Sequence, residues 1–152
     1  MNMHWRWHDQ RLDAELAVAL EAVGMRLAAA RCPAQLEAAI RAALRLWRAV
    51  RALAERCSAL DDRELLAETA DHMAVLLVAD ARPCPDPRDI AFVAGRGLSL
   101  ARDLAGEAAS GRARDRLMAE WSASSRLSFE DWLVDRLRVV ACPPKGGGTP
   151  LL

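Results

Sequence analysis

The chain has 152 residues, of which 53% are hydrophobic, so it can build one packed domain and is too apolar for an intrinsically disordered protein. Its 21 basic residues balance its 21 acidic residues, and no net field favours nucleic acid or an anionic membrane surface. The longest apolar stretch without a formal charge, residues 72–79, is far shorter than the roughly 20 residues of a membrane-spanning helix.

Alanine, leucine and arginine, all good helix formers, dominate the chain, and no segment alternates polar and apolar residues over the length of a strand. Apolar residues at three- and four-residue steps predict a first helix over 9–31 and a second over 33–57. Pro33 suits the first turn of the second helix, because its missing N–H costs nothing there. These features favour an all-α fold.

The second predicted helix carries five arginines against two glutamates at its polar positions. These arginines are Arg41, Arg45, Arg48, Arg51 and Arg56. The third predicted helix, 62–81, carries five acidic residues against one arginine, and Asp61 with Glu64 gives a box-like N-terminal signal. A short link predicts that the two helices are antiparallel neighbours whose opposite charges help to set their register.

The second half begins with a proline-rich segment, 82–87, that cannot be helical throughout. Asp86 and Pro87 predict the start of a fourth helix that runs to about residue 109. Gly95 and Gly97 inside this helix predict that a neighbouring helix packs closely there, and a kink or a groove for a partner are the alternatives.

Ser110 and Gly111 predict the next break, followed by a short helix over 112–121 and a polar turn over 122–125. Ser128, with Asp131 three residues later, predicts the start of a last helix that ends near residue 142. We therefore expect a compact bundle of five or six helices in a single domain, 1–142. Residues 143–152 contain three prolines and three glycines and are predicted to form a flexible, disordered tail.

Two features bear on the compartment. No apolar segment of a secretory signal follows the first residues. None of the four cysteines forms a C-x-x-C pair, so they are predicted to be small hydrophobes near helix ends rather than metal or redox ligands. Both features predict a cytoplasmic protein.

An unusual cluster of tryptophan, histidine and arginine opens the chain. Trp5, Arg6 and Trp7 either anchor the first helix onto the bundle or dock onto a partner, and stacking on bases or lipid headgroups is a further alternative. If this segment is helical, His4 and His8 share one face and are weak candidates for metal ligands. The arginines Arg41, Arg45 and Arg48 face either the acidic third helix or a partner, with nucleic acid the least favoured of the three.

A second weak metal candidate is the pair Glu68 and His72, which lie one helical turn apart. The Glu-x-x-His spacing of di-iron bundles is absent, so we expect no metal and no other cofactor. Nucleophile elbows, phosphate-binding loops and H-E-x-x-H motifs are also absent, and Gly95 and Gly97 lack the third glycine of a dinucleotide-binding loop. An enzymatic activity is therefore not expected.

Residues 39–98 contain three dipeptides, Leu46-Trp47, Asp89-Ile90 and Gly97-Leu98. Because of the places of these dipeptides, the stretch resembles the FlaF family of flagellar biosynthesis regulators. The resemblance implies a small helical regulator, although the asparagine before the tryptophan is missing and Ala91 replaces a second asparagine.

Taken together, the sequence predicts a non-catalytic helical module for protein–protein interaction: an adaptor, regulator, inhibitor or assembly subunit. Its expected partner is a protein, with a second copy of the same chain among the candidates; nucleic acid and membrane are not expected. The alternatives are a helical bundle that binds a small ligand or a metal, and a FlaF-like regulator.

Overall fold

The computed structural model describes residues 10–56, 60–78, 86–124 and 126–141. These residues form six α-helices and no strand, which confirms the predicted all-α bundle. A 3₁₀ turn, Ala54–Arg56, extends the second helix. The helices are α1 Gln10–Ala29, α2 Pro33–Leu53, α3 Leu60–Leu77, α4 Pro87–Leu104, α5 Glu107–Ser124 and α6 Phe129–Ala141. The predicted tail, 143–152, lies outside the described residues.

Helix α1 is the central element of the bundle, because it packs against α2, α4, α5 and α6. The face predicted from its periodicity is buried along its whole length, from Leu12 to Leu27. Val18 and Ala19, on other faces of the same helix, are also buried. A helix that is apolar nearly all round is typical of the interior of a bundle.

The predicted starts of α4 and α6 are confirmed by their caps. The Asp86 carboxylate accepts a hydrogen bond of 2.8 Å from the backbone N–H of Arg88, and Pro87 follows in the first turn. The Ser128 hydroxyl accepts from the backbone N–H of Asp131 at 3.2 Å and donates to the carboxylate of Asp131 at 2.9 Å.

The predicted break at Ser110 and Gly111 is wrong. Helix α4 already ends at Leu104, where Ala105 turns to an extended conformation, and α5 starts at Glu107. The backbone N–H of Ser110 bonds to the carbonyl of Gly106 at 2.9 Å, so this serine lies in the first turn of α5. Ser110 is buried against the bundle, and this tertiary packing overrides the weak helix propensity of serine.

Other predicted boundaries shift by a few residues. Helix α3 begins at Leu60 rather than after Asp61, so Asp61 is inside the helix and not its cap. The same helix ends at Leu77, and α5 continues to Ser124 through part of the predicted polar turn. Such ends depend on local capping and packing, which periodicity does not report.

The predicted close approach is confirmed at Gly97, where α4 meets α1, but not at Gly95. A Cβ on Gly97 would lie 3.5 Å from the carbonyl oxygen of Leu20, whereas a Cβ on Gly95 would meet nothing within 4 Å. The tightest position is Gly24 of α1, where a Cβ would lie 3.2 Å from the carbonyl oxygen of Ala94. The absence of a side chain at Gly24 therefore allows the two helices to pack this closely.

The carboxylate of Glu15 joins three helices. Its side chain is only 9% exposed and accepts hydrogen bonds from Arg136 of α6 at 3.0 and 3.2 Å. Arg116 of α5 donates to the same oxygen at 3.5 Å. Arg136 also contacts Glu120 of α5 at 3.1 Å and lies 5.6 Å from the ring centre of Trp132. These contacts hold α5 and α6 against α1.

Replacing the buried carboxylate should destabilise the bundle. We expect Glu15→Ala to lower the free energy of unfolding by about 1–3 kcal/mol. The charged hydrogen bonds are lost, and the guanidinium groups of Arg116 and Arg136 remain without the carboxylate that they share. Part of Arg116 is poorly solvated, since its Nε is buried without a hydrogen-bond partner in the described part of the chain. Urea denaturation measures the effect.

The matched control is Glu55→Ala, which removes an exposed ion pair with Arg51 of 3.3 Å. That substitution should cost no more than about 1 kcal/mol. Equal losses for the two variants would contradict a special contribution of Glu15.

The two glycine positions should respond differently to replacement by alanine. Gly95→Ala should raise the free energy of unfolding by about 0.5–1 kcal/mol, because it restricts the unfolded chain without touching a neighbour. Gly24→Ala should give no gain, because the new methyl group meets backbone. Thermal unfolding of both variants is the measurement, and equal gains would show that α1 and α4 separate freely.

Candidate functional site

A groove of about 650 Å³ runs along the surface between α2 and α6. Helix α2 supplies one wall and the last two turns of α6 supply the other. Its lining residues are Arg45, Arg48, Ala49, Asp135, Arg138, Val139 and Ala141. We call this the α2–α6 groove.

The charge of the groove is unbalanced. Asp135 forms an ion pair with Arg45 and lies 3.7 Å from a guanidinium nitrogen of Arg138. Arg48 is exposed and has no ion pair within the described part of the chain. Three guanidinium groups therefore face one carboxylate, and the groove is locally basic in a chain without net charge.

An apolar side chain lies among these charges. Val139 is 60% exposed, although it belongs to the last turns of a helix whose other face is buried. Ala49 and Ala141 complete the apolar part of the lining. The groove therefore offers both cationic and apolar contacts.

Helical spacing explains how the sequence builds these walls. Leu133, Val134 and Leu137 are buried and fix α6 against the core. The residues between them and after them, Asp135 and Arg138, then point away from the core. The same logic puts Arg45 and Arg48, three residues apart, on the outward side of α2.

The three arginines predicted as partner contacts separate in the structure. Arg45 and Arg48 line the groove, but Arg41 does not and pairs instead with Glu37 of its own helix at 3.1 Å. The expectation that the stripe faces the acidic third helix holds for Arg51, which contacts Asp71 of α3 at 3.2 Å. Arg45 is directed to α6 instead.

The α6 wall was missed by the sequence analysis. The sequence did contain a signal for this wall. Val139 is an apolar residue on the polar face of α6, and it lies beside Asp135 and Arg138, a charged pair at i, i+3 spacing. That signal was present in the sequence, but which helix faces α2 depends on how α1 positions α6.

The N-terminal candidates His4, Trp5, Arg6, Trp7 and His8 lie outside the described residues. Their predicted roles stay predictions.

Glu68 and His72 are both exposed on α3, and the His72 ring lies 5.9 Å from the ring of Phe92 on α4. Within residues 10–56, 60–78, 86–124 and 126–141, no three histidine, cysteine or acidic side chains are grouped so that they could hold a metal. The pair therefore has no third ligand in this part of the chain.

The solvent-facing side of α3 combines acidic and apolar residues. These residues recur at three- and four-residue steps opposite the buried Leu66, Ala70, Met73 and Leu77. We define them as the outer face of α3: Glu64, Leu65, Glu68, Asp71, His72, Val75 and Val78. Val75 is 70% exposed, and Leu65 and Val78 are exposed as well.

Comparisons with known proteins identify no relative: no family model, curated protein or solved structure matches the chain. The resemblance of residues 39–98 to FlaF regulators therefore stays a prediction. Among the described helices, none is long and apolar enough to cross a membrane.

Proposed function

We propose that the protein is a non-catalytic protein-binding module, and that the α2–α6 groove docks an acidic, partly apolar segment of a protein partner. The observation that carries this proposal is the excess of guanidinium groups beside an exposed valine. Arginine is enriched at the energetic centres of protein interfaces, and its planar fork suits carboxylates. A cytoplasmic location and an adaptor, regulator, inhibitor or assembly role belong to the same proposal.

The exposure of the groove favours a polypeptide over a small ligand. The side chains of Arg45 and Arg138 remain 35% and 56% exposed, so their charges are solvated in the free protein. Small-ligand sites are usually enclosed, mostly apolar cavities with a few convergent polar groups. An open, basic surface groove instead suits a helix or an extended segment that contacts several side chains at once.

Reversing the groove charge should weaken the binding of an acidic peptide. The probe is a fluorescein-labelled peptide that alternates glutamate and leucine, followed by fluorescence anisotropy. We expect Arg48→Glu with Arg138→Glu to raise its Kd by about tenfold or more, because attraction becomes repulsion. Higher salt should weaken binding to the wild-type protein, since the contacts are exposed.

Two controls make this experiment specific. Arg112→Glu changes an exposed arginine of α5 that has no ion pair in the described residues, and it should leave Kd nearly unchanged. A peptide with lysine in place of glutamate should not bind. Equal binding of both peptides, or stronger binding of a single-stranded oligonucleotide of equal charge, would contradict the proposal.

Removing the internal competitor should have the opposite effect. Asp135→Asn frees Arg45 and Arg138 from the carboxylate that they share. We expect the Kd of the acidic peptide to fall by about twofold to fivefold, the factor that corresponds to one exposed ion pair. An unchanged or higher Kd would show that Asp135 positions the arginines rather than competes for them.

A further inference from the structure

The outer face of α3 is acidic, whereas the α2–α6 groove is basic, and both surfaces carry exposed apolar side chains. We propose that the occupant of the groove is the outer face of α3 from a second copy of this chain. This inference rests on the proposed function, because it uses the groove as a docking surface, and it names the partner.

Charge complementarity is the first support. Glu64 and Glu68 are exposed, one turn apart, and have no ion pair within the described part of the chain. Arg48 in the groove is likewise without an ion pair there, and Arg138 only shares Asp135. Each surface therefore carries charge that its own molecule leaves uncompensated.

Apolar complementarity is the second support. Leu65 is exposed between Glu64 and Glu68, and Val75 and Val78 are exposed in the turns that follow Asp71. In the groove, Val139 is exposed among the arginines. Exposed valine and leucine in a helix face of this kind are typical of helix-in-groove recognition, in which an apolar stripe is flanked by charges that fix its orientation.

The arrangement of the helices allows both contacts at once. Helix α2 lies between the two surfaces, since Arg51 reaches α3 and Arg45 reaches α6. The groove and the outer face of α3 therefore lie on opposite flanks of α2 and share no residue, so both surfaces are available in the same molecule. In a two-fold dimer, each copy gives its α3 to the groove of the other, and the contact occurs twice. The formal net charge of zero leaves no long-range repulsion between copies.

A charge-exchange experiment on the full chain tests this dimer. The groove variant is Arg48→Glu with Arg138→Glu, and the face variant is Glu64→Arg with Glu68→Arg. Sedimentation velocity at low ionic strength should show a dimer for the wild-type protein and a monomer for each variant. Because every substitution acts twice in the dimer, the dimer Kd of each variant should rise by about a hundredfold.

Mixing the two variants provides the decisive observation. In an equimolar mixture the reversed groove meets the reversed face, and the retained groove meets the retained face, so a heterodimer should form. Arg112→Glu is the control that should remain dimeric. Far-ultraviolet circular dichroism and thermal unfolding establish that each variant is folded, and heterodimer formation itself requires folded chains.

Several outcomes would overturn the inference: a monomeric wild-type protein, a dimer that both variants preserve, or a mixture that stays monomeric. The acidic peptide separates this failure from failure of the groove itself. Peptide binding by a monomeric wild-type protein would assign the groove to a different acidic partner. Loss of both peptide binding and self-association would remove the proposed function as well.

Discussion

The buried carboxylate of Glu15 is the contact on which the rest of the architecture depends, because it attaches α6 to the central helix. Arg136 binds Glu15 near the middle of α6, and Arg26 of α1 lies 3.5 Å from the Ser128 hydroxyl at its start. Helix α6 is therefore tied to α1 at its start and near its middle. Since α6 forms one wall of the α2–α6 groove, the width of the groove is set by contacts inside the bundle.

The other wall is positioned by packing rather than by charge. Trp47 of α2 is fully buried, and its ring lies 3.8 Å from the place where a Cβ would stand on Gly97 of α4. Small residues on α1 and α4 leave room for this large ring. Apolar seams of alanine and leucine are compatible with several registers, and we infer that the ion pairs of Glu15 select one of them, the best-attested role of buried polar groups.

The sequence predicts much of the fold because local signals and tertiary packing agree in most helices. The caps at Asp86 and Ser128 and the apolar stripes of α1 and α2 needed only local information. The break at Ala105 was missed because serine and glycine at 110 and 111 are stronger local breakers, yet packing retains them inside α5. Propensity is a weak prior wherever burial favours another outcome.

The candidate site was predictable only in part, for a related reason. Periodicity placed the arginines of α2 on its polar face, but it could not show that Arg45 faces α6 while Arg51 faces α3. Asp135, Arg138 and Val139 became part of a site through contacts between residues roughly a hundred positions apart. Such long-range proximity has no signature in local spacing.

A balanced net charge conceals a local separation of charge that the composition could not reveal. Basic α2 and acidic α3 are neighbours, yet they neutralise each other at few points, of which Arg51 with Asp71 is one. The internal ion pairs of the groove are exposed, and pairs of this kind contribute only about 0–1 kcal/mol each. An incoming carboxylate can therefore replace Asp135 at small cost, while the Glu15 carboxylate, whose side chain is only 9% exposed, is shielded by the bundle. The fold thus separates the charges that hold the bundle together from those that remain available to a partner.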